Sequence, residues 1–141
     1  MAGSVNILEL HGNILRVRCS KCGTFSETWG DGSESVPLCE KCNGMLRPDI
    51  VWFGESLPRP ELEAAVKASR ACQVFLSIGT SGVVQPAAAL AHAARNNGAV
   101  VVEINAEPTP LTPKVEFAIC GKSGKILPEL IKACWLSDRG L

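Results

Sequence analysis

Two cysteine pairs, Cys19-x2-Cys22 and Cys39-x2-Cys42, separated by sixteen residues, constrain this chain more than anything else in its sequence. That spacing fits a four-cysteine zinc ribbon, in which each pair forms a tight knuckle and the two knuckles close a tetrahedron. Gly23 follows the first pair and Asn43-Gly44 the second. These residue types tolerate the positive φ angles by which a knuckle aims backbone amides at thiolate sulfur. All four donors are cysteine, which leaves no coordination position open for water. One structural Zn2+ that folds the segment is therefore expected, not a catalytic ion. Four unmetallated thiols, or two disulfides, are the competing readings of the same residues. Cys72, Cys120 and Cys134 read as small core hydrophobes.

At 141 residues the chain is long enough for one ordinary domain and a small appendage. Hydrophobic residues make up 46% and aromatic residues only 5%, so the core must be filled by Ala, Val, Leu and Ile, as in layered α/β sheets. Fourteen basic residues balance fourteen acidic ones, which removes the positive field that drives phosphate binding and argues against nucleic acid as a partner. No apolar run approaches a membrane span and no signal peptide is evident, so no membrane partner is expected. Seven cysteines, an odd number with four in metal-type pairs, suit a reducing, cytoplasmic address.

The character of the sequence changes near Pro48, from turn-rich and cysteine-bearing to alternating helices and strands. Val5 to Leu10 reads as a short strand entering the His11-Gly12 turn, and Pro60 opens a helix to about Ala71 with Leu62, Ala65, Val66 and Ser69 on one face. Val74 to Ile78 reads as a buried strand, Pro86 to Asn97 as a helix closed by Gly98, and Val100 to Ile104 as a second strand, together a βαβ unit. Residues 106–113 carry three prolines and read as a loop, and a last helix is expected from about Lys125 to Cys134 with Pro128 in its first turn. The expected fold class is α/β, a partial Rossmann-like parallel sheet with helices plus a small four-cysteine zinc-ribbon subdomain. The expected parts are 1–18 (histidine strand and turn), 19–47 (zinc ribbon) and 48–141 (the Rossmann-like part).

His11 alone is a weak signal, since a histidine beside a glycine is more often a turn or core residue than a catalyst. Taken without context, Val51-Trp52-Phe53 is an apolar strand, and Gly79-Thr80-Ser81 is a strand-to-helix turn that lacks the Gly-x-Gly-x-x-Gly dinucleotide fingerprint. The order Leu8-Glu9-Leu10-His11-Gly12, the cysteine ribbon, Leu46 to Glu55 and then Gly79-Thr80-Ser81 nevertheless resembles the sirtuin family, NAD-dependent protein-lysine deacylases, from about Ala2 to about Leu130. The resemblance implies that His11 is the general base acting on a ribose hydroxyl of NAD, a role suited to an imidazole that titrates near neutral pH. It implies that Val51, Phe53, Gly54 and Glu55 bind an acylated-lysine protein or peptide as an added strand, with Val51 and Phe53 along the acyl-lysine channel. Gly54 would let another backbone approach closely. It assigns Gly79, Thr80, Ser81, Asn105, Glu107 and Ser123 to NAD, at the carboxyl ends of the strands where open α/β sheets bind ligands. His92, inside the Ala-rich helix, reads as structural.

The implied reaction removes an acyl group, acetyl or acidic, from protein lysine and gives nicotinamide and O-acyl-ADP-ribose. The Trp-Phe-Gly-Glu form resembles the bacterial and mitochondrial branch, which includes enzymes that remove acidic acyl groups. Sirtuins carry about as much sequence again before Ala2, including a Gly-Ala-Gly-x-Ser phosphate loop and a Gln-Asn-x-Asp segment for nicotinamide, and neither motif is in this chain. The resemblance is therefore to the C-terminal part of a catalytic domain, expected to have little activity alone, with the missing N-terminal segment as a candidate partner. Without its first strands, the parallel sheet should present an unpaired, adhesive edge. The alternatives are a non-catalytic zinc-ribbon binding module and a partner-dependent remnant.

Overall fold

The computed structural model describes residues 3–27, 29 and 36–136. Residues 28 and 30–35 of the expected ribbon, and 1–2 and 137–141 at the ends of the expected first and last parts, lie outside the described residues. The chain divides into two compact units, Met1–Leu62 and Glu63–Leu141, with the division inside helix α1 (Arg59–Ala71).

The first unit is an antiparallel sheet of β1 (Gly12–Cys19), β2 (Phe25–Ser26) and β3 (Leu46–Ile50), in the order β2-β1-β3. β1 ends at the first cysteine and β3 begins just after the last, so the ladder Cys19↔Leu46, Arg18↔Arg47, Val17↔Pro48 holds the two knuckles side by side. The register breaks between Asn13 and Val17 and resumes at Asn13↔Asp49 and Gly12↔Ile50. This is a bulge that bends the strand. Buried here are Cys19, Cys39 and Leu46, with Val17 and Cys42 packed against them. A core made mostly of cysteines is small.

The expected strand at Val5 to Leu10 does not form. Val5 and Ile7 stay exposed, and the backbone folds on itself through Leu10 N–H to Leu8 O (3.0 Å) and Gly12 N–H to Glu9 O (3.0 Å). The strand starts later, at Gly12, and runs to the first cysteine. Val51 to Glu55 is likewise a turn, because the Glu55 amide bonds Trp52 O (3.0 Å) and the Glu55 carboxylate accepts from the Trp52 amide (3.0 Å).

The second unit is a parallel sheet in the order β4-β5-β6, with β4 at Val74–Ile78, β5 at Val100–Asn105 and β6 at Phe117–Cys120. Helix α2 (Ala89–Asn96) packs on β4 and β5 and sets Ala91 and Ala94 against Ala99, Val101 and Leu111, with Cys72, Phe75 and Val115 beside them. Alanines allow helix and sheet to approach closely, which is how a chain poor in aromatics makes a core. This bears out the α/β expectation of a parallel sheet with helices. Helix α1 has Pro60 and Glu61 in its first turn and Arg70 in its last, which suits the helix dipole, and it buries Ala65 and Ser69 from the predicted face. Among the described residues β4 is an edge strand, in line with the expected open edge, but the run read as a buried strand is not one: Val74, Leu76 and Ile78 are exposed and only Ser77 is buried, because no further strand or helix covers that side.

α2 is shorter than predicted, because residues 85–88 form a turn with a cis Gln85-Pro86 peptide before it; Gly98, at φ +89°, closes it as expected. β6 was not predicted, since four residues after a proline-rich loop carry too little pattern. Helix α3 (Ser123–Ile131) starts two residues early, because the amides of Lys125 and Ile126 both bond Lys122 O. Pro128 therefore falls inside it and not in its first turn, at the loss of one backbone donor. A π-helical turn, Lys132–Leu136, follows. Cys72 packs as a core residue, but Cys120 and Cys134 are exposed, contrary to expectation. Among the described residues no helix is long and apolar enough to cross a membrane.

Candidate functional site

Cys19, Cys22, Cys39 and Cys42 bring their sulfurs within 4.8 Å of one another. The two knuckles repeat one hydrogen-bond pattern. The Cys19 amide bonds Thr24 O (2.9 Å) and the Gly23 amide bonds Cys19 O (3.1 Å), while Cys39 bonds Gly44 O (2.8 Å) and Asn43 bonds Cys39 O (2.8 Å). Gly23 (φ +72°) and Asn43 (φ +58°) take the left-handed conformation their residue types permit. A side chain at Gly44 would press on Lys21 Cβ and the sulfurs of Cys19 and Cys42, so that position has room only for hydrogen.

The Sγ–Sγ distances of 3.5 Å (Cys19–Cys42) and 3.8 Å (Cys22–Cys39) are far beyond a disulfide bond of about 2.05 Å. They match the separation of about 3.8 Å that tetrahedral zinc imposes at Zn–S distances of about 2.3 Å. The amides of Lys21 and Cys22 point at Cys19 Sγ (3.3 and 3.5 Å), and the Cys22 amide pulls the Cys19 thiol down from its ordinary range. The hydroxyl and amide of Thr24 hold Cys22 at about 6. Cys42 is drawn down by the Gly44 amide but is pushed up to about 11 by the thiols of Cys22 and Cys19. The donor set and its spacing fit one tetrahedral, thiophilic ion.

In the same unit, His11 is exposed on the turn before β1, and its carbonyl accepts the Val51 amide at 3.0 Å. The predicted base and the predicted substrate segment thus sit on adjoining backbone. Gly12 makes this possible, since it has φ +77° and a Cβ there would run into the Asp49 carbonyl. Past Val51, which is half-buried, Phe53 stands fully exposed and Gly54 (φ +89°) has open space around it. Glu55 closes the turn under Arg47, whose Nη1 and Nη2 meet its two oxygens at 2.5 and 3.0 Å and whose Cζ lies 3.7 Å from the centroid of the Trp52 ring. That guanidinium, with help from the Trp52 amide, holds the Glu55 carboxyl down at about 2.

Sequence reasoning passed over Arg47, Asp49, Arg16 and Arg18. Arg16 donates to Asp49 Oδ2 through Nε (2.9 Å) and Nη2 (2.7 Å), and Arg18 lies 3.5 Å from the same buried carboxylate. The signal, alternate arginines on one strand and a carboxylate on its neighbour, is readable only once the register is known.

In the second unit, the structure ties Thr80 to Asn105 at the end of β5 and sets Glu107 in the same cleft, while Ser81 and Ser123 make no described contact with Asn105. Its Nδ2 donates to Thr80 O (2.7 Å), its Oδ1 accepts from Ala106 N (2.9 Å), and its backbone oxygen accepts from Gly121 N (2.8 Å). Gly79 (φ +61°) donates to Ile104 O (2.9 Å). One asparagine therefore joins the Gly79-Thr80-Ser81 turn to the loop that leads to Ser123, the first residue of α3. A cleft of about 230 Å3 lies at the carboxyl ends of β5 and β6, lined in part by Glu103, Asn105, Glu107, Thr112 and Cys120. Glu103, buried, accepts from the hydroxyls of Thr109 and Thr112, an anchor for the proline-rich loop that sequence reading did not find.

Comparison with known proteins identifies relatives that match residues in both units. The profile of the Sir2 family matches residues 1–86. An NAD-dependent protein deacylase of Pyrococcus furiosus is 45% identical over 138 residues, which cover 93% of this chain and 55% of that protein. NAD-dependent protein deacylase 2 of Pyrobaculum aerophilum is 49% identical over 131 residues, covering 93% and 53%. Among solved structures, a Sir2 homolog–NAD complex superposes with a TM-score of 0.88 at 40% identity, covering 94% of this chain and 52% of that one. Sir2 bound to an acetylated peptide superposes at 0.87 and 30% identity, covering 94% and 57%. The chain spans about half the length of the curated relatives it matches. On the family match over its first 86 residues, the chain belongs to the Sir2 family.

Proposed function

We propose that this chain carries the general base, the acyl-lysine segment and part of the NAD site of an NAD-dependent protein-lysine deacylase, built around one structural zinc ion. The observation that carries the reading is the bond from the Val51 amide to the His11 carbonyl (3.0 Å), which puts base and substrate segment on one hydrogen-bonded pair of backbones. Cys19, Cys22, Cys39 and Cys42 hold the zinc, whose work is to fold the ribbon. His11 accepts a proton at its imidazole from a ribose hydroxyl. The backbone beyond Val51 pairs with the substrate as an added strand, Val51 and Phe53 flank the acylated lysine, Gly54 leaves room for the approaching chain, and Glu55 fixes the turn.

Gly79, Thr80, Ser81, Asn105, Glu107 and Ser123 bind NAD, which supplies the carbon that receives the acyl oxygen. One water is consumed in releasing the amine, and the products are nicotinamide, free lysine and O-acyl-ADP-ribose, with acetyl and acidic acyl groups both candidates. The two compared proteins named as NAD-dependent deacylases, and the solved complexes with NAD and with acetylated peptide, support this assignment. The cleft of about 230 Å3 falls below the roughly 300–1,000 Å3 of drug-sized sites and would take part of a dinucleotide. The open edge of β4, with Val74, Leu76 and Ile78 exposed, favours a second, partner-dependent reading in which a further polypeptide segment completes the sheet. A reduced thiol cage suits a cytoplasmic address.

Calorimetric titration with NAD and with an acetyl-lysine peptide tests the reading. His11→Ala should keep NAD binding and, in the completed enzyme, abolish turnover to free lysine and O-acyl-ADP-ribose. Turnover by that variant at the unmodified rate would remove His11 from the mechanism.

A further inference from the structure

Six charged side chains in the first unit form an unbroken series of ion pairs. Glu9 meets Arg16 (2.7 Å), Arg16 and Arg18 meet Asp49 (2.7 and 3.5 Å), Arg18 reaches Glu55 (4.0 Å), and Glu55 meets Arg47 (2.5 Å). Exposed ion pairs generally add little to stability, so six charges arranged in this way need another reason. The two sheltered members are Asp49 and Arg47, whose side chains are 10% and 12% exposed, and there the pairs are screened least. Each end of the series fastens one turn. The Glu9 carbonyl accepts the Gly12 amide and its carboxylate accepts Asn13 Nδ2 (2.7 Å), closing the turn of His11. Glu55 and Arg47 close the other turn, where Arg47 also donates to Ile50 O (2.7 Å) and covers the Trp52 ring. Phe53 at its apex is fully exposed and gains no position from packing, so its place depends on the backbone that Glu55 and Arg47 hold.

We propose that this series is a positioning device, with Arg47 as its deciding residue, that holds the Val51–Glu55 turn in the shape an acyl-lysine peptide pairs with and keeps it in register with the His11 turn. The inference rests on the deacylase reading. Reacting groups must be held to a fraction of an ångström, and a forked guanidinium on a carboxylate and a carbonyl holds a turn in a way that a point charge does not.

Arg47→Lys keeps the charge and removes the fork. In the unmodified chain, the side-chain protons of Arg47 should carry the upfield ring-current shift of a group stacked on Trp52. In the variant, hydrogen exchange of the Val51 and Trp52 amides should rise about tenfold or more, and affinity for a short acetyl-lysine peptide should fall about tenfold, as expected for the loss of a charge-assisted bond. The amides of Gly23 and Asn43 in the cysteine cage should keep their protection, which shows that the fold is intact. Unchanged exchange at Val51 and Trp52, or undiminished peptide binding by the variant when the unmodified chain binds, overturns the inference alone. Failure of the completed enzyme, with Arg47 unmodified, to bind the peptide at all overturns the deacylase reading beneath it.

Discussion

Stripping the proposed zinc ion from the cage should unfold the ribbon and leave the parallel sheet standing. Among the described residues of the ribbon, the buried apolar ones are Cys19, Cys39 and Leu46, and two of these three are proposed ligands of the ion. Without the ion, the apolar core is essentially one leucine, worth about 1.5–3 kcal/mol when buried. A four-thiolate zinc site contributes on the order of 10 kcal/mol, as much as the net stability of a whole domain. The ion therefore outweighs the packing several-fold. The second unit has its own core in Ala91, Ala94, Ala99, Val101 and Leu111, which involves no cage ligand. Metal analysis of reduced protein should give one zinc per chain. After chelation, the amides of Cys19, Gly23, Cys39 and Asn43 should exchange at near-unfolded rates while those of Val101 and Gly79 remain protected. Metal-free protein with the ribbon amides still protected would show that packing and hydrogen bonds close the cage unaided, and the argument would fail.

Two further outcomes follow from individual side chains. Glu55, held at about 2 by Arg47 and the Trp52 amide, lies below the roughly 4.3 of an unfolded glutamate. Its stabilisation is therefore complete above that higher value and is lost as pH falls towards about 2. A carboxyl-carbon NMR titration should find its midpoint near the lower figure, and an ordinary midpoint would dissolve the Arg47 pairing. Asn105→Ala removes the bond to Thr80 O, a neutral interaction of about 1 kcal/mol, and should weaken NAD binding about fivefold by calorimetry. Unaltered affinity would mean that the Gly79 turn needs no such tie.

The parts legible in the sequence were those written in local pattern. The cysteine spacing, with Gly23 and Asn43 beside it, foretold a cage that the sulfur distances bear out, and the β4 and β5 runs with Gly98 between them foretold parallel pairing. What escaped depends on partners distant in sequence. Arg16 and Asp49 are 33 residues apart, on neighbouring strands whose register no local pattern reports. Val51-Trp52-Phe53 looked like a strand because its residue types favour one, but a carboxylate two residues beyond Phe53 turns back on the Trp52 amide and forms a turn instead. Pro128 misled in the opposite direction, since the start of α3 is set by Lys122 O accepting two amides, which no periodicity reports.

The buried Glu103 carries a consequence for how the cleft can change shape. It grips Thr109 and Thr112 from beneath, while Asn105 Oδ1 takes the Ala106 amide at the other end of the same loop. Between these two anchors only Glu107 and Pro108 are left unclamped, a hinge two residues wide. Adjustment to an arriving guest on this side is expected at that tip, with the Glu107 amide exchanging faster than the Thr109 amide, which bonds the Thr112 hydroxyl at 2.8 Å.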